Sequence, residues 1–111
     1  MIPVNRGILS NIYLTIDANK QNEIYDCLEK SFVNENFISL LPLNEVPATR
    51  EVVGSNRVSI GVKRGYKEDL LCIVSVIDNL LKGAAGQAMQ NFNLMNEFNE
   101  TTALTNNANI L

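Results

Sequence analysis

Histidine is absent from this chain of 111 residues, and cysteine occurs only twice, as Cys27 and Cys72. Because histidine is the usual general base near neutral pH, its absence removes most catalytic dyads and triads. Two cysteines are too few for a disulfide framework, and no histidine is present to complete a zinc site with them. We therefore expect a protein of the reducing cytoplasm that has no metal site and no self-contained catalysis.

Basic residues and long apolar runs are also scarce. Lys and Arg total 9 against 12 Asp and Glu, which gives a net charge of -3 and a pI near 4.8. Nucleic-acid binding needs a concentrated basic surface, so we expect no nucleic-acid partner. The longest apolar run, residues 70–77, is far shorter than the roughly 20 residues that span a bilayer. We expect no membrane segment, and no targeting segment, because the first residues lack a basic region followed by an apolar core.

What the chain does contain is an ordinary soluble composition, with 46% hydrophobic and 19% charged residues, which predicts a packed core. The periodicity of apolar residues predicts strands and two helices, the first helix with Asn19 as its N-cap. The strands are expected at residues 8–16, 37–41, 57–66 and 70–78, and the helices at residues 20–33 and 81–98. This order predicts an α+β fold with a mostly antiparallel sheet and helices on one face.

The segment at residues 70–78 is apolar on both of its faces, which predicts a central strand. Two helices can cover only one face of the sheet, and soluble monomers rarely leave a large apolar face exposed. We therefore expect the sheet of a second copy to cover the other face, so that the chain forms a homo-oligomer through its sheet.

The junction between that strand and the last helix contains Gly83 and Gly86, in the segment DNLLKGAAGQA. Each glycine destabilises a helix interior by about 1 kcal/mol relative to alanine, so both indicate a close approach by another group. Helix starts favour negative charge, which makes this junction a candidate neighbour of a phosphate or a polar cofactor ring. Tight helix packing is the alternative interpretation.

Residues 76–104, VIDNLLKGAAGQAMQNFNLMNEFNETTAL, resemble the carboxy-terminal signature of N-acetyl-γ-glutamyl-phosphate reductases. Two further segments agree, namely PVNRGILS at residues 3–10 and the motifs PATR and VGSN within residues 47–56. The combination is specific, although DNL followed by KGAA also occurs in the related aspartate-semialdehyde dehydrogenases. The continuation GQA favours the first family.

The resemblance implies a two-domain enzyme of which this chain is the end. Residues 1–79 would form the second half of an α+β catalytic and dimerisation domain like the carboxy-terminal domain of glyceraldehyde-3-phosphate dehydrogenase. Residues 80–98 would form a helix that packs on a missing NADP-binding domain, and residues 99–111 a polar tail. The nucleophilic cysteine and the catalytic histidine of the family lie upstream of the position matching Met1, so this chain is expected to hold no catalytic residue.

The chemistry implied by the resemblance is reductive dephosphorylation in arginine biosynthesis. A cysteine thiolate attacks the acyl phosphate of N-acetyl-glutamyl phosphate, phosphate leaves, and hydride from NADPH reduces the thioester to a semialdehyde. By the same resemblance, Asn79 is expected to bind the nicotinamide carboxamide, Lys82 and Gly83 to line the same crevice, and Arg6 to reach the acyl phosphate. The alternatives are a helix cap for Asn79 and a surface ion pair for Arg6.

Cys27 and Cys72 match no nucleophile of that family and are expected to serve in core packing, as most unactivated cysteines do. Two rival hypotheses remain. The first is a sister enzyme, either an aspartate-semialdehyde dehydrogenase or its amino-adipate analogue. The second is a stand-alone oligomerisation module without an enzymatic parent, which an upstream reading frame encoding a glycine-rich nucleotide loop and a cysteine would exclude.

Overall fold

A computed structural model describes residues 3–104 of the chain, which form one mixed sheet, two α-helices and short helical turns. The strands are β1 (Ile8–Thr15), β2 (Ile38–Leu40), β3 (Val58–Arg64) and β4 (Leu70–Ile77). The helices are α1 (Gln21–Phe32) and α2 (Gly86–Met95). Short helical turns occupy Ala18–Lys20, Thr49–Glu51 and Leu81–Ala85, the last of them a π-helical turn directly before α2.

The strand order in the sheet is β1-β4-β3-β2. β4 pairs antiparallel with both β1 and β3, which confirms the central position predicted for this strand. β2 pairs parallel with β3, so the sheet is mixed, and the prediction of a mostly antiparallel sheet is corrected. The cause is α1, which carries the chain from β1 on one edge to β2 on the other edge with the strand direction unchanged. The predicted α+β class is confirmed.

One face of the sheet is covered by α1. The Tyr25 hydroxyl donates to the carbonyl of Leu41 at 3.0 Å, which ties α1 to the end of β2. At the first residue of α1, the buried Gln21 amide donates to the carbonyl of Glu68 at 2.8 Å. The register places Val62 and Leu71 on this face with the side chains of β2, and both are completely buried.

The second face of the sheet is covered by the irregular segment between β2 and β3. Val46 and Pro47 lie directly over Gly61 in β3, with Pro47 Cδ 2.8 Å from the position that a side chain at Gly61 would occupy. On this face Val74 is 7% exposed and Val76 is completely buried. A loop of the same chain therefore covers the apolar second face of β4, which the sequence had suggested a second copy would cover.

Two local predictions, for Asn19 and Cys27, differ from the structure, and a third lies partly outside the described residues. Asn19 lies inside the short turn before α1 and makes no capping hydrogen bond, because the chain already turns at Asp17, whose carbonyl accepts the N–H of Lys20 at 2.9 Å. Cys27 is exposed on α1 and is not packed in the core, while Cys72 is half-buried in β4. The polar tail predicted for residues 99–111 lies partly outside the described residues, which end at residue 104.

Within residues 3–104, none of the helices combines the length and the apolarity that crossing a bilayer requires.

Candidate functional site

Asp78 directly follows β4, and its side chain is completely buried. Its Oδ2 lies 2.8 Å from Arg6 Nη2 and accepts the N–H of Gly54 at 2.7 Å. Its Oδ1 accepts from Arg6 Nε at 3.1 Å. The same oxygen accepts the backbone N–H groups of Leu80 and Leu81 at 2.8 and 3.3 Å. One carboxylate thus joins three segments that are far apart in sequence.

This arrangement, which we call the Asp78 junction, consists of Arg6, Gly7, Gly54, Asp78 and Asn79. Burial by itself raises the pKa of Asp78, but hydrogen bonds from Arg6, Gly54 and Leu80, with the positive charge of Arg6, outweigh it. The net result is a pKa below the usual value of an aspartate, so the carboxylate is ionised at neutral pH. The Arg6 side chain, one third exposed, supplies its counter-charge.

Asn79, predicted to bind a nicotinamide carboxamide, lies beside this pair. Its Oδ1 accepts the backbone N–H of Gly7 at 2.7 Å, which fixes the orientation of the side-chain amide. Asp78 occupies the capping position that was the alternative for Asn79, since Asp78 accepts the N–H groups of Leu80 and Leu81. Among residues 3–104, Asn79 Nδ2 makes no hydrogen bond, so both of its hydrogens are available to another acceptor.

Gly54 enters the junction through its backbone. Its φ of +83° lies in the left-handed region that side chains other than glycine rarely adopt, and this conformation directs its N–H to the buried carboxylate. The neighbouring Ser55 hydroxyl donates to the carbonyl of Val52 at 2.7 Å. The VGSN motif is therefore a structural turn that supports Asp78.

Lys82 belongs to a separate polar cluster, which consists of Asn36, Asn56, Lys82, Gln90 and Glu100. Gln90 Oε1 accepts from Lys82 Nζ at 2.7 Å and from Asn56 Nδ2 at 3.1 Å. Gln90 Nε2 donates to Glu100 Oε1, and Asn36 Nδ2 donates to Glu100 Oε2, both at 2.7 Å. The cluster joins α2 to the turn before β2 and to the segment after α2.

The polar cluster contains two opposite charges, the ammonium of Lys82 and the carboxylate of Glu100. Desolvation lowers the pKa of Lys82 below its usual value, although the charges of Glu100 and Glu35 oppose the shift. Hydrogen bonds from Asn36 and Gln90, together with the charge of Lys82, lower the pKa of Glu100. The Lys82 ammonium also lies 5.5 Å from the centre of the Phe37 ring, within the range of a cation–π contact.

The two glycines of the helix start have different environments. Gly86 is buried, and a side chain there would overlap the carbonyl oxygen of the Asn56 amide. That oxygen is itself buried and has no hydrogen-bond partner among the described residues. Gly83 is exposed, and the nearest atom to a Cβ at that position is Ile77 Cδ1 at 3.4 Å, an ordinary contact. Tight packing thus accounts for Gly86, and Gly83 presents an open surface.

We expect Gly86→Ala to lower the free energy of unfolding by about 1–3 kcal/mol, the usual cost of forcing an extra methyl group into a packed interior. Gly83→Ala is the matched control, since the added methyl group meets only ordinary contacts and alanine is the better helix former. It should leave stability unchanged or raise it by up to about 1 kcal/mol. Urea denaturation of both variants compares the two, and an equal loss of stability would contradict the Asn56 contact.

The helix α2 has an unusual distribution of polar and apolar residues. Its buried positions are Gly86, Gln90 and Asn93, and Asn93 donates to the carbonyls of Glu100 and Thr102 at 3.1 and 2.9 Å. The apolar stripe expected to continue through this helix is largely exposed. The stripe is exposed at Phe92 (52%), Met95 (83%) and Phe98 (55%), the last of them just after α2. Together with the exposed Met89 (41%) and Leu94 (56%), these residues form what we call the outer apolar surface.

Sequence reasoning singled out Arg6, Asn79, Lys82 and Gly83, and the structure brings two of them together. Arg6 and Asn79 meet at the Asp78 junction, while the Lys82 ammonium is directed to Gln90 in the polar cluster. Asp78, the centre of the junction, was not predicted. A signal was present, because an aspartate between a buried strand and a helix start is a typical capping position.

Residues 1–79 match a family profile described as "Semialdehyde dehydrogenase, dimerisation domain". The match includes the Arg6, Gly54 and Asp78 positions of the junction. The chain belongs to this family.

Named relatives confirm the resemblance to N-acetyl-γ-glutamyl-phosphate reductases that the sequence motifs indicated. The chain is 48% identical over 106 residues to the N-acetyl-gamma-glutamyl-phosphate reductase of Magnetococcus marinus, and 44% identical over 107 residues to that of Bacillus subtilis. These alignments cover 94% and 95% of this chain. They cover only 30% and 31% of the two relatives, so the chain spans about a third of their length.

A solved structure with the same fold is that of aspartate semialdehyde dehydrogenase II from Vibrio cholerae, in a complex with ASA. It matches 86% of this chain with a TM-score of 0.63 and 26% sequence identity. The match covers 29% of that protein.

Proposed function

We propose that this chain is the carboxy-terminal part of an oxidoreductase that reduces N-acetyl-glutamyl phosphate to the semialdehyde with NADPH, a step of arginine biosynthesis. The names of the relatives that are 41–48% identical along almost the whole chain support this substrate. The alternative, an aspartate-semialdehyde dehydrogenase, is supported by the structural match at 26% identity. The difference in sequence identity favours the glutamyl substrate.

The site proposal rests on the hydrogen bonding of the Asn79 side chain. Its carbonyl oxygen is held by Gly7, and its Nδ2 donors are available to an acceptor outside the described residues. A nicotinamide carboxamide presents a carbonyl acceptor of this kind, so the residues present fit the group. When bound, the nicotinamide supplies the hydride, and Asn79 orients its ring.

Gly83 and Lys82 would line the same crevice in different ways. Gly83 is exposed and has no side chain, so a flat ring can approach its backbone closely. The Lys82 ammonium is already bound to Gln90 and lies over Phe37. Lys82 would therefore act by holding the helix start in place beside the cofactor. We propose no direct charge contact between Lys82 and the cofactor.

Arg6 would bind the acyl phosphate with the part of its guanidinium that Asp78 leaves available. Asp78 engages Nε and Nη2, which leaves Nη1 and the second Nη2 hydrogen as an end-on pair of donors. Paired N–H donors of arginine match the oxygens of a phosphate group. Arg6 does form an ion pair, but its partner Asp78 is buried and not at the surface as the alternative for Arg6 assumed, and this pair is compatible with the second contact.

The outer apolar surface of α2 would pack on the NADP-binding domain upstream in the same polypeptide. The relatives are about three times as long as this chain, which leaves room for such a domain. Phe92 and Phe98 lie with ring centres 6.0 Å apart on this surface, and each is more than half exposed. A surface of this kind is typical of an interface. The chain would also self-associate, as the dimerisation family suggests, through the face of its sheet.

The full-length protein carrying Asn79→Ala tests the proposal. We expect the KM for NADPH to rise about tenfold, because a hydrogen bond worth about 1.4 kcal/mol is lost, while kcat changes less. Asn34→Ala, which removes an exposed amide in the turn after α1, is the matched control and should leave both constants unchanged. Steady-state kinetics with N-acetyl-glutamyl phosphate and with aspartyl phosphate identify the substrate. Preference for the aspartyl substrate would overturn the proposed function.

A further inference from the structure

We propose that Asp78 is a positioning residue that sets the orientation of both Arg6 and Asn79, and thereby couples the substrate-binding group to the cofactor-binding group. This inference rests on the proposed function of those two residues. The inference extends that function by assigning the alignment of Arg6 and Asn79 to one buried carboxylate that touches neither ligand.

The first step is the geometry of the Arg6 pair. Asp78 binds the guanidinium along the edge formed by Nε and Nη2, at 3.1 and 2.8 Å. A contact along this edge fixes the plane of the guanidinium as well as its position. The carboxylate is completely buried while one third of the Arg6 side chain is exposed, so the opposite end of the guanidinium is directed to the surface.

The second step is a further contact between the same two segments, made by Gly7 and Asn79, the residues that follow Arg6 and Asp78. Arg6 donates to Asp78 through its side chain, and Gly7 donates to Asn79 through its backbone at 2.7 Å. The start of β1 and the end of β4 are therefore clamped by two successive contacts. A displacement of the Arg6 backbone away from Asp78 would also displace the adjacent Gly7, and with it the Asn79 amide.

The third step is the number of donors that depend on the carboxylate. Oδ1 accepts the N–H groups of Leu80 and Leu81, which sets the direction of the chain after Asn79. Oδ2 accepts the N–H of Gly54 from the VGSN turn. Each carboxylate oxygen accepts from at least two donors. An asparagine at this position would replace one oxygen by an NH2 group, whose hydrogens would face N–H groups that need an acceptor. Replacement by asparagine should therefore turn Arg6 and the start of the helical turn together.

Steady-state kinetics of the full-length protein with Asp78→Asn test this inference. We expect the KM values for NADPH and for the acyl phosphate to rise together, each by about tenfold, with a smaller fall in kcat. Gln21→Met is the control for a purely structural effect, because Gln21 is buried and bound to the Glu68 carbonyl at the start of α1. It should lower the thermal midpoint and leave both KM values unchanged.

The outcomes separate the inference from the function on which it rests. If Asp78→Asn lowers the midpoint as Gln21→Met does, with both KM values within twofold of wild type, the inference is overturned. If Asp78→Asn does not fold, Arg6→Lys decides, because it keeps the charge and loses the two-point contact. An unchanged KM for NADPH in Arg6→Lys would also overturn it, because the coupling requires the Asn79 amide to move when the Arg6 contact is lost. If Asn79→Ala leaves the KM for NADPH unchanged, the cofactor assignment has failed, and the acyl-phosphate KM of Asp78→Asn still tests the Arg6 half.

Discussion

The 111-residue chain by itself should show no reduction of N-acetyl-glutamyl phosphate by NADPH. The proposed reaction needs a thiolate that is activated by a base and placed against the acyl phosphate, and the chain has no histidine. Cys27 lies on the exposed surface of α1, among Glu23, Asp26 and Lys30, away from the junction. Cys72 is six residues before Asp78 along an extended strand, which places it roughly 20 Å from the junction.

The measurement is NADPH oxidation at high concentrations of the purified chain, with the full-length protein as the positive control. The double variant Cys27→Ser and Cys72→Ser should give the same background rate as the unchanged chain. Turnover that disappears in this double variant would show that one of the two cysteines is a nucleophile. It would also contradict the assignment of the chemistry to an upstream segment.

The strands could be predicted closely from the sequence because each depends on local alternation. Residues 70–78 read as a central strand, and β4 indeed pairs on both sides. The cover of its second face could not be predicted, because Val46 and Pro47 lie over Gly61 by a tertiary contact that no periodicity encodes. The parallel pairing of β2 depends in the same way on the path of α1 across the sheet.

The last helix shows where periodicity is misleading. Apolar spacing predicted one helix from residue 81 to residue 98, but the chain forms a π-helical turn and then α2. The buried side of α2 is polar because Gln90 and Asn93 have hydrogen-bond partners from Asn56, Lys82 and the segment after α2. Burial of such residues depends on partners distant in sequence. The exposed apolar side is consistent with a helix that has an additional neighbour in a longer protein.

The candidate site was partly predictable for a related reason. The resemblance selected Arg6 and Asn79 as separate candidates, 73 positions apart in the sequence. Their meeting at Asp78 follows from the antiparallel register that places Ile8 opposite Ile77. Local sequence could indicate that Asp78 caps a helix start, but the Arg6 and Gly54 contacts appear only once the sheet is assembled.

The isolated chain should form a dimer or larger oligomer at micromolar concentration, and the sheet is the surface that we expect to pair. On the α1 face, Ile8 and Ile12 of the edge strand β1 are 45% and 48% exposed. The irregular segment covers the other face of β4, so the available apolar surface is at the β1 side and not at the centre of the sheet. A second copy related by a two-fold axis would bury the same patch on both chains.

Ile12→Lys should lower the mass measured by analytical ultracentrifugation to that of a monomer, because a lysine ammonium is costly to bury in an apolar interface. Asn11→Lys is the matched control, with the same charge on the opposite face of the same strand, and should leave the oligomer intact.

The outer apolar surface of α2 is the competing interface in a chain tested without the proposed NADP-binding domain. If Met95→Lys yields the monomer and Ile12→Lys does not, the self-association occurs through α2 and the sheet proposal is wrong. A wild-type chain that is folded and strictly monomeric would contradict both interfaces.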